Sequence, residues 1–407
     1  MEQVQYTLPD NWAWKTLDDV SEKITDGTHH SPKAQHSEWE SGRFKYITSK
    51  NIKNNGMKLD DISYIDQDIH NEIYARCPPE IEDQLLTKDG AMTGTCCLNE
   101  LDEPFSLLSS VALIKQNRSI ILPKYLNYYL QSHIGQNFLL GDISGAAITR
   151  TNIKKLKSTP VPLAPFSEQK CIVEKLDALL TRIDSAIEHL QESVTLANAL
   201  YASELASVFS SGQDKWPLRE LNEVAEVARG KSKHRPRNDK SLFGGEYPFI
   251  QTGDVRNAQK YITTYSATYN EEGLQQSKLW PKDTICLTIA ANIGDVAILG
   301  MAACFPDSVV GISSTELETD YLYYFLTTLQ QQLDSKANAA AQKNINLKIL
   351  SEIKIPVPTL DEQKNIIRQI NEIDRLSVKV KAEISEKITK MQQLKASILD
   401  SAFKGEL

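Results

Sequence analysis

No stretch of this 407-residue chain supplies the roughly 20 consecutive apolar residues that a membrane-spanning helix needs. The N-terminus also lacks the charged, apolar and small-residue regions of a secretory signal, so the expectation is a cytoplasmic protein without membrane contact. The six cysteines (Cys77, Cys96, Cys97, Cys171, Cys286, Cys304) form no Cys-x-x-Cys pair, which argues against both a zinc site and a disulfide framework. Histidines are few and scattered. His29, His30 and His36 share a loop that is not rich in carboxylates, and no metal site is expected.

Signatures of catalysis are equally thin. Gly230-Lys231-Ser232 has the end of a phosphate-binding loop, but Ala225 stands where the first glycine is required. Cys77-Pro78-Pro79-Glu80 has the wrong residues on both sides of its prolines for an adenine methyltransferase site. Glu352-Ile353-Lys354 has nuclease-like spacing, yet the triplet is common and has no acidic counterpart in the first half of the chain. There is no Gly-x-Ser-x-Gly elbow. The residues favour recognition over catalysis, and no catalytic residue is assigned.

What is present is a duplication. Glu168-Gln169-Lys170 and Glu362-Gln363-Lys364 stand 194 positions apart, and the same offset pairs Ile172 with Ile366, Leu176 with Ile370 and Phe209 with Phe403. Upstream, Trp12, Leu17 and Val20 match Trp216, Leu221 and Val224, while His30, Pro32 and Lys33 match His234, Pro236 and Arg237. Tyr125-Leu126 matches Tyr321-Leu322, and Pro160-Val161-Pro162 matches Pro356-Val357-Pro358. Each repeat is a globular part, a Pro-Val-Pro linker and a long helix, which is domain scale and not a solenoid of short units. Short β-branched or aromatic runs (Phe44–Ile47, Tyr247–Ile250, Thr284–Ile289, Val296–Leu299) between turns predict α+β globular parts that present loops.

A net charge of −8 argues against a nucleic-acid binder, but its distribution argues the other way. Arg229, Lys231, Lys233, Arg235, Arg237 and Lys240 crowd one segment together with His234. Arg43, Lys45, Lys50, Lys53 and Lys58 crowd another, interleaved with Phe44 and Tyr46. A single such run is usually a solvated loop. Here basic residues recur at matched places around Lys33 and Arg237, which favours a function.

Glu168–Ser211 and Glu362–Lys404 contain neither glycine nor proline, and proline-rich segments precede both. Ile366, Ile370, Ile373, Val380, Ile384, Met391, Leu394 and Ile398 predict a heptad seam, matched in the first helix by Ile172, Leu176, Leu179, Ile183, Ile187, Leu190 and Val194. Residues 168–210 carry a net −4 and residues 362–404 a net +3, so the two helices are expected to pair with each other, antiparallel. At 1.5 Å per residue each spans about 65 Å, approaching two turns of B-DNA.

The tryptophans followed by Leu-x-x-Val, Asp26-Gly27-Thr28-His29, the Pro-Val-Pro linkers and the Glu-Gln-Lys helix openings occur in a fixed order. With the closing Ser397-Ile398-Leu399-Asp400-Ser401-Ala402-Phe403-Lys404-Gly405-Glu406-Leu407, the whole chain resembles the DNA-specificity subunit of type I restriction-modification systems. The resemblance implies two target-recognition domains (1–165 and 213–358), a central spacer helix (166–212) and a distal spacer helix with its tail (359–407). It further implies a split double-stranded DNA target, two methyltransferase (modification) subunits and later-joining restriction/translocase subunits. S-adenosylmethionine and ATP would then belong to those partners, with no cofactor on this chain. Candidate DNA-contacting residues are Thr28, His29, His30, Lys33, Arg43, Lys45, Lys50, Lys53, Arg150, Arg229, Lys231, Lys233, His234, Arg235, Arg237, Arg256 and Lys343. Glu168, Gln169, Ile172, Leu176, Glu362, Gln363, Ile366 and Ile370 are the candidates for subunit docking and the spacer helices. One departure is that Leu163-Ala164-Pro165 makes the first linker two residues longer than the second. Two rival readings are a stand-alone DNA-binding or architectural protein and a coiled-coil scaffold that ignores DNA.

Overall fold

The computed structural model describes residues 6–141, 150–212, 215–234, 236, 238–290, 293–329 and 347–407. Arg235, Arg237 and Lys343 lie outside the described residues. The chain forms two compact units: Met1–Gln191 with Glu386–Leu407, and Glu192–Ser385.

In the first unit, strands Ser21–Asp26, Val111–Gln116, Gln84–Thr87 and Cys96–Leu98 lie side by side in that order. In the second unit the order is Glu226–Arg229, Val309–Ser313, Ile285–Thr288 and Val296–Leu299. Read by chain position, the four strands that the sheets share run first, fourth, second, third in both, so the duplication seen in sequence is a duplication of topology. The units differ at the periphery. The second sheet gains Tyr261–Ile262, parallel to Val296–Leu299, whereas the first unit builds a separate three-stranded sheet from Ser63–Asp66, Arg43–Ile47 and Ser106–Leu107. Gln84–Thr87 and Ile285–Thr288, interior strands of their sheets, are buried along their whole length.

The first Pro-Val-Pro segment is a strand, and the second begins on the last residue of one, Pro356. Pro160–Leu163 pairs antiparallel with Ala13–Thr16, and Lys354–Pro356 with Leu218–Glu220. Proline fits a two-stranded ribbon because its carbonyl still accepts even though it has no N–H to donate. Those carbonyls are used: Tyr125 Oη donates to Pro162 O at 2.7 Å and Tyr321 Oη to Pro356 O at 2.9 Å.

The long helices span Phe166–Ser210 and Leu360–Lys404, 45 residues each. Thr359 caps the second, its backbone N–H donating to Glu362 Oε2 (2.9 Å) while Glu362 N–H donates to Thr359 Oγ1 (3.4 Å), a reciprocal capping box. That bonding, with the Thr359 hydroxyl the larger part, holds the Glu362 carboxyl below the usual carboxylate range. In the first unit Ile172, Leu176 and Leu180 enter the core beside Leu399, Ala402 and Phe403. In the second, Leu205 and Phe209 enter the core beside Ile366 and Ile370. The start of one helix therefore meets the end of the other in each unit, as antiparallel pairing requires. Lys395 Nζ reaches Asp184 at 2.7 Å in the first unit, and Lys381 Nζ reaches Asn198 at 3.2 Å in the second.

The seam runs differently from the predicted one in three places. Leu180 is buried and Leu179 is 36% exposed, while Val380 and Leu394 are 44% and 48% exposed. Lys381 and Lys395, one residue further along, take the inward positions and meet polar partners. The apolar spacing alone could not show this, because the choice between neighbouring residues is made by the facing helix. Charge complementarity between the helices acts through Asp184–Lys395; the pairs Glu372–Arg375, Lys379–Glu383 and Glu386–Lys390 are closed within one helix.

Candidate nucleic-acid interface

Each helix opening is clamped to its own globular part by the same residues. Trp12 Nε1 donates to Glu168 Oε2 at 2.8 Å, and Trp216 Nε1 to Glu362 Oε1 at 3.1 Å. Gln169, fully buried, donates to Ile120 O and Ala164 O and accepts from Leu122 N–H, all at 2.9 Å. Gln363 repeats this with Pro358 O (3.0 Å), Glu316 O (3.4 Å) and Glu318 N–H (2.7 Å). Tyr128 bonds Asp177, and Tyr324 bonds Asn371 at the matching place. Glu168, Gln169, Ile172, Leu176 and their partners Glu362, Gln363, Ile366 and Ile370 thus seat each helix on its globular part. All four of the apolar ones are core residues.

The loops that leave the first strand of each sheet do so through a glycine. A Cβ on Gly27 would lie 1.8 Å from Leu107 O, and one on Gly230 would lie 2.3 Å from Phe305 O. Neither position has room for a side chain. Gly230 is therefore a strand-exit residue, and the Gly-Lys-Ser string is no phosphate loop.

Beyond Gly230 the chain is held through its backbone, which leaves the Lys231 and Lys233 side chains without an ion pair among the described residues. Gln276 Oε1 accepts from Lys233 N–H (2.6 Å) and His234 N–H (3.1 Å), and Ser277 Oγ donates to Lys231 O (2.8 Å). His234 Nε2 lies 3.0 Å from Asp239 Oδ2; the Ser241 N–H, then His234, hold that carboxyl below its ordinary range. Arg229, Lys231 and Lys233 are exposed and make no ion pair among the described residues. Arg256 is exposed in the last turn of Thr252–Asn257.

The first unit distributes its cations differently. Lys33 is exposed and unpaired among the described residues, with His30 exposed nearby and bonded through its backbone to the Thr28 hydroxyl (3.1 and 3.3 Å). The run that the sequence shows as free positive charge is paired instead. Arg43 meets Glu40 (3.0 Å), Lys45 meets Glu103, Lys50 meets Asp61 (2.9 Å) and Lys58 meets Asp60 (3.4 Å). Lys53 is half-buried. Glu103 comes from a distant strand connection, whereas Glu40, Asp60 and Asp61 flank the run in sequence.

A denser cluster surrounds Asp26. This buried carboxylate takes Arg76 Nη2 at 2.6 Å on Oδ1 and Lys88 Nζ at 3.5 Å on Oδ2, with His29 Nε2 3.5 Å from Oδ1. Lys88, also buried, meets Asp89 at 2.8 Å, and Asp89 in turn takes Arg150 Nε at 2.5 Å. Nothing in the sequence singles out Arg76 and Lys88; they stand alone there, and only the fold brings them to Asp26. Among the described residues no group of three or more His, Cys, Asp or Glu is placed to hold a metal ion, and no helix is long and apolar enough to cross a membrane.

These doubled scaffolds, each offering loops at one strand exit, define the class of protein. The type I restriction modification DNA specificity domain matches the chain twice, at residues 9–196 and 213–390, and the chain belongs to that family. Over 408 residues it is 25% identical to the putative type I restriction enzyme MjaX specificity subunit of Methanocaldococcus jannaschii, spanning 95% of this chain and 92% of that protein. It is 20% identical to the type I restriction enzyme StySPI specificity subunit of Salmonella potsdam, over 98% of this chain and 90% of that protein. A solved chain from a study of complex assembly and conformational transition in the type I R-M system shares the fold, with a TM-score of 0.75. Its identity is 22%, and the match covers 99% of this chain and 100% of that one.

Proposed function

We propose that this chain is the DNA-specificity subunit of a type I restriction-modification complex, reading a target in two parts, one per unit. The observation that supports this best is the repeated strand exit, at Gly27 and Gly230, from two sheets that share the order of four strands. A single small domain discriminates a few base pairs at about 1–3 kcal/mol per mismatch. Two domains joined by stiff helices multiply that discrimination on one duplex. The candidate contacts are Thr28, His29, His30, Lys33 and Arg150 in the first unit, and Arg229, Lys231, Lys233, His234 and Arg256 in the second. Arg43, Lys45 and Lys50 join them by exchanging surface carboxylates for phosphates, since exposed ion pairs are worth little.

The chain itself is not catalytic. Two methyltransferase subunits carry S-adenosylmethionine, restriction/translocase subunits carry ATP, and the assembly works in the cytoplasm. The test is methylome sequencing of a host with and without this chain, the methyltransferase and restriction genes being present in both. A two-part motif methylated only in its presence is the expected result; an identical methylome in both hosts sinks the proposal.

A further inference from the structure

The charged cluster around Asp26 carries an inference that deepens the function just proposed and rests on it. Five side chains alternate in sign: Arg76, Asp26, Lys88, Asp89 and Arg150, each joined to the next at 2.6, 3.5, 2.8 and 2.5 Å. The middle of the row is shielded from water and its ends are not. Lys88 and Asp26 are 5% and 8% exposed, whereas Arg76 and Arg150 are 51% and 71% exposed. Three cations meet two carboxylates, so an excess of positive charge remains, and it reaches the surface at the two arginines.

The donors left over indicate which anion fits. Arg76 uses Nη2 on Asp26 Oδ1, Asp26 O and Gly27 O (2.6, 3.2 and 3.2 Å), while its Nη1 and Nε have no partner among the described residues. Those two do not lie side by side and cannot take two acceptors of one base edge. Either can meet a phosphate oxygen, which asks for one donor and positive charge. Arg150 uses only Nε, on Asp89, and its paired Nη1 and Nη2 have no partner among the described residues. That terminal fork suits two oxygens of one phosphate.

Lys88 is too buried to touch DNA. Its charge opposes the carboxylates; without it, Asp26 and Asp89 would cancel the two arginines. The second unit keeps positive charge at its strand exit by other means. Arg229 stands where Asp26 does, immediately before the exit glycine. Ile289 stands where Lys88 does, each donating its backbone N–H to a serine carbonyl, Ser308 O at 3.0 Å and Ser110 O at 2.9 Å. The residues differ, yet each exit offers cations, as a phosphate contact common to both units requires.

We propose that Arg76 and Arg150 hold the DNA phosphate backbone at the half-site bound by the first unit, and that the buried Lys88 is their positioning residue.

The full chain is co-expressed with its methyltransferase subunits, the methylated motif is mapped, and binding to duplexes with and without that motif is measured across a salt series. Arg76→Gln and Arg150→Gln should each weaken binding to every duplex by the same factor, about three- to tenfold, and lower the salt slope by about one, with the motif unchanged. Unchanged affinity and slope overturn the contact. So does a loss confined to one base pair, which marks base reading. Lys88→Met removes a charge that DNA does not touch, and it too should lower the slope by about one. Combining it with Asp26→Asn restores the charge excess and should return the slope to that of the parent. If Lys88→Met binds with the parent slope, the positioning role falls. Should Lys88→Met fail to fold, the double variant decides: a reduced slope at the parent's melting temperature overturns that role. A parent complex that prefers no motif would instead refute the function proposed above.

Discussion

At the scale of single residues, the buried glutamines do more than their neighbours. Gln363 satisfies two carbonyls and one N–H inside the second unit. Replacing it by leucine keeps the bulk but orphans those groups, at about 1–3 kcal/mol for each one left buried and unpaired. Gln363→Leu should lower the denaturation midpoint clearly, and a midpoint within error of the parent would show that water replaces the amide. His70 adds a pH dependence. It stacks on Phe44 with centroids 3.7 Å apart and meets Ser106 Oγ at 2.9 Å, and burial lowers its pKa below 6.5. The unfolded chain takes up a proton near 6.5 that the native state resists. Stability from this site is therefore present above 6.5 and lost as pH falls through the lower, native value. In His70→Gln the stability curve should flatten just below pH 6.5, read by chemical denaturation at stepped pH; an unchanged slope there refutes the assignment.

At the scale of elements, each long helix carries the same capture points at both ends. Asp184–Lys395 and Asn198–Lys381 lie fourteen residues apart on each helix, so one antiparallel register holds through both contacts. Inserting four residues into each helix, after Thr195 and after Glu383, adds about 6 Å and turns the downstream helix by about 40°. The seam can absorb that rotation. The expected result is an active complex whose methylated motif has a spacer one or two base pairs longer and unaltered half-sites. An unchanged spacer would show that the helices hold the subunit together without measuring DNA. Two-residue insertions turn the seam by about 200° and should abolish assembly.

The helices were legible in sequence because neither glycine nor proline interrupts them, and the repeat was legible because one offset persists through both. The inward choice of Lys381 over Val380 was not, since a partner helix decides it. The same holds for Asp26 with Arg76, fifty positions apart, and for Glu103 with Lys45, 58 positions apart. Local pattern shows where charge is; only the fold shows what opposes it.

At the scale of the whole molecule, the duplicated topology predicts separable reading. Exchanging residues 213–358 for the corresponding part of a relative should change one half of the methylated motif and leave the other and the spacer intact. Changes in both halves, mapped by methylome sequencing, would refute modular recognition.

The first unit draws Leu399, Ala402 and Phe403 from the far end of the chain, with Phe403 against Tyr125 and Tyr129 at centroid distances of 5.2 and 5.3 Å. During synthesis, then, the core around Tyr125 and Tyr129 stays open until residues 399–403 have been made. A product cut short near residue 385 would carry an open seat of tyrosine and leucine side chains, ready prey for a protease. The core of the first unit thus closes only after the second unit has been made.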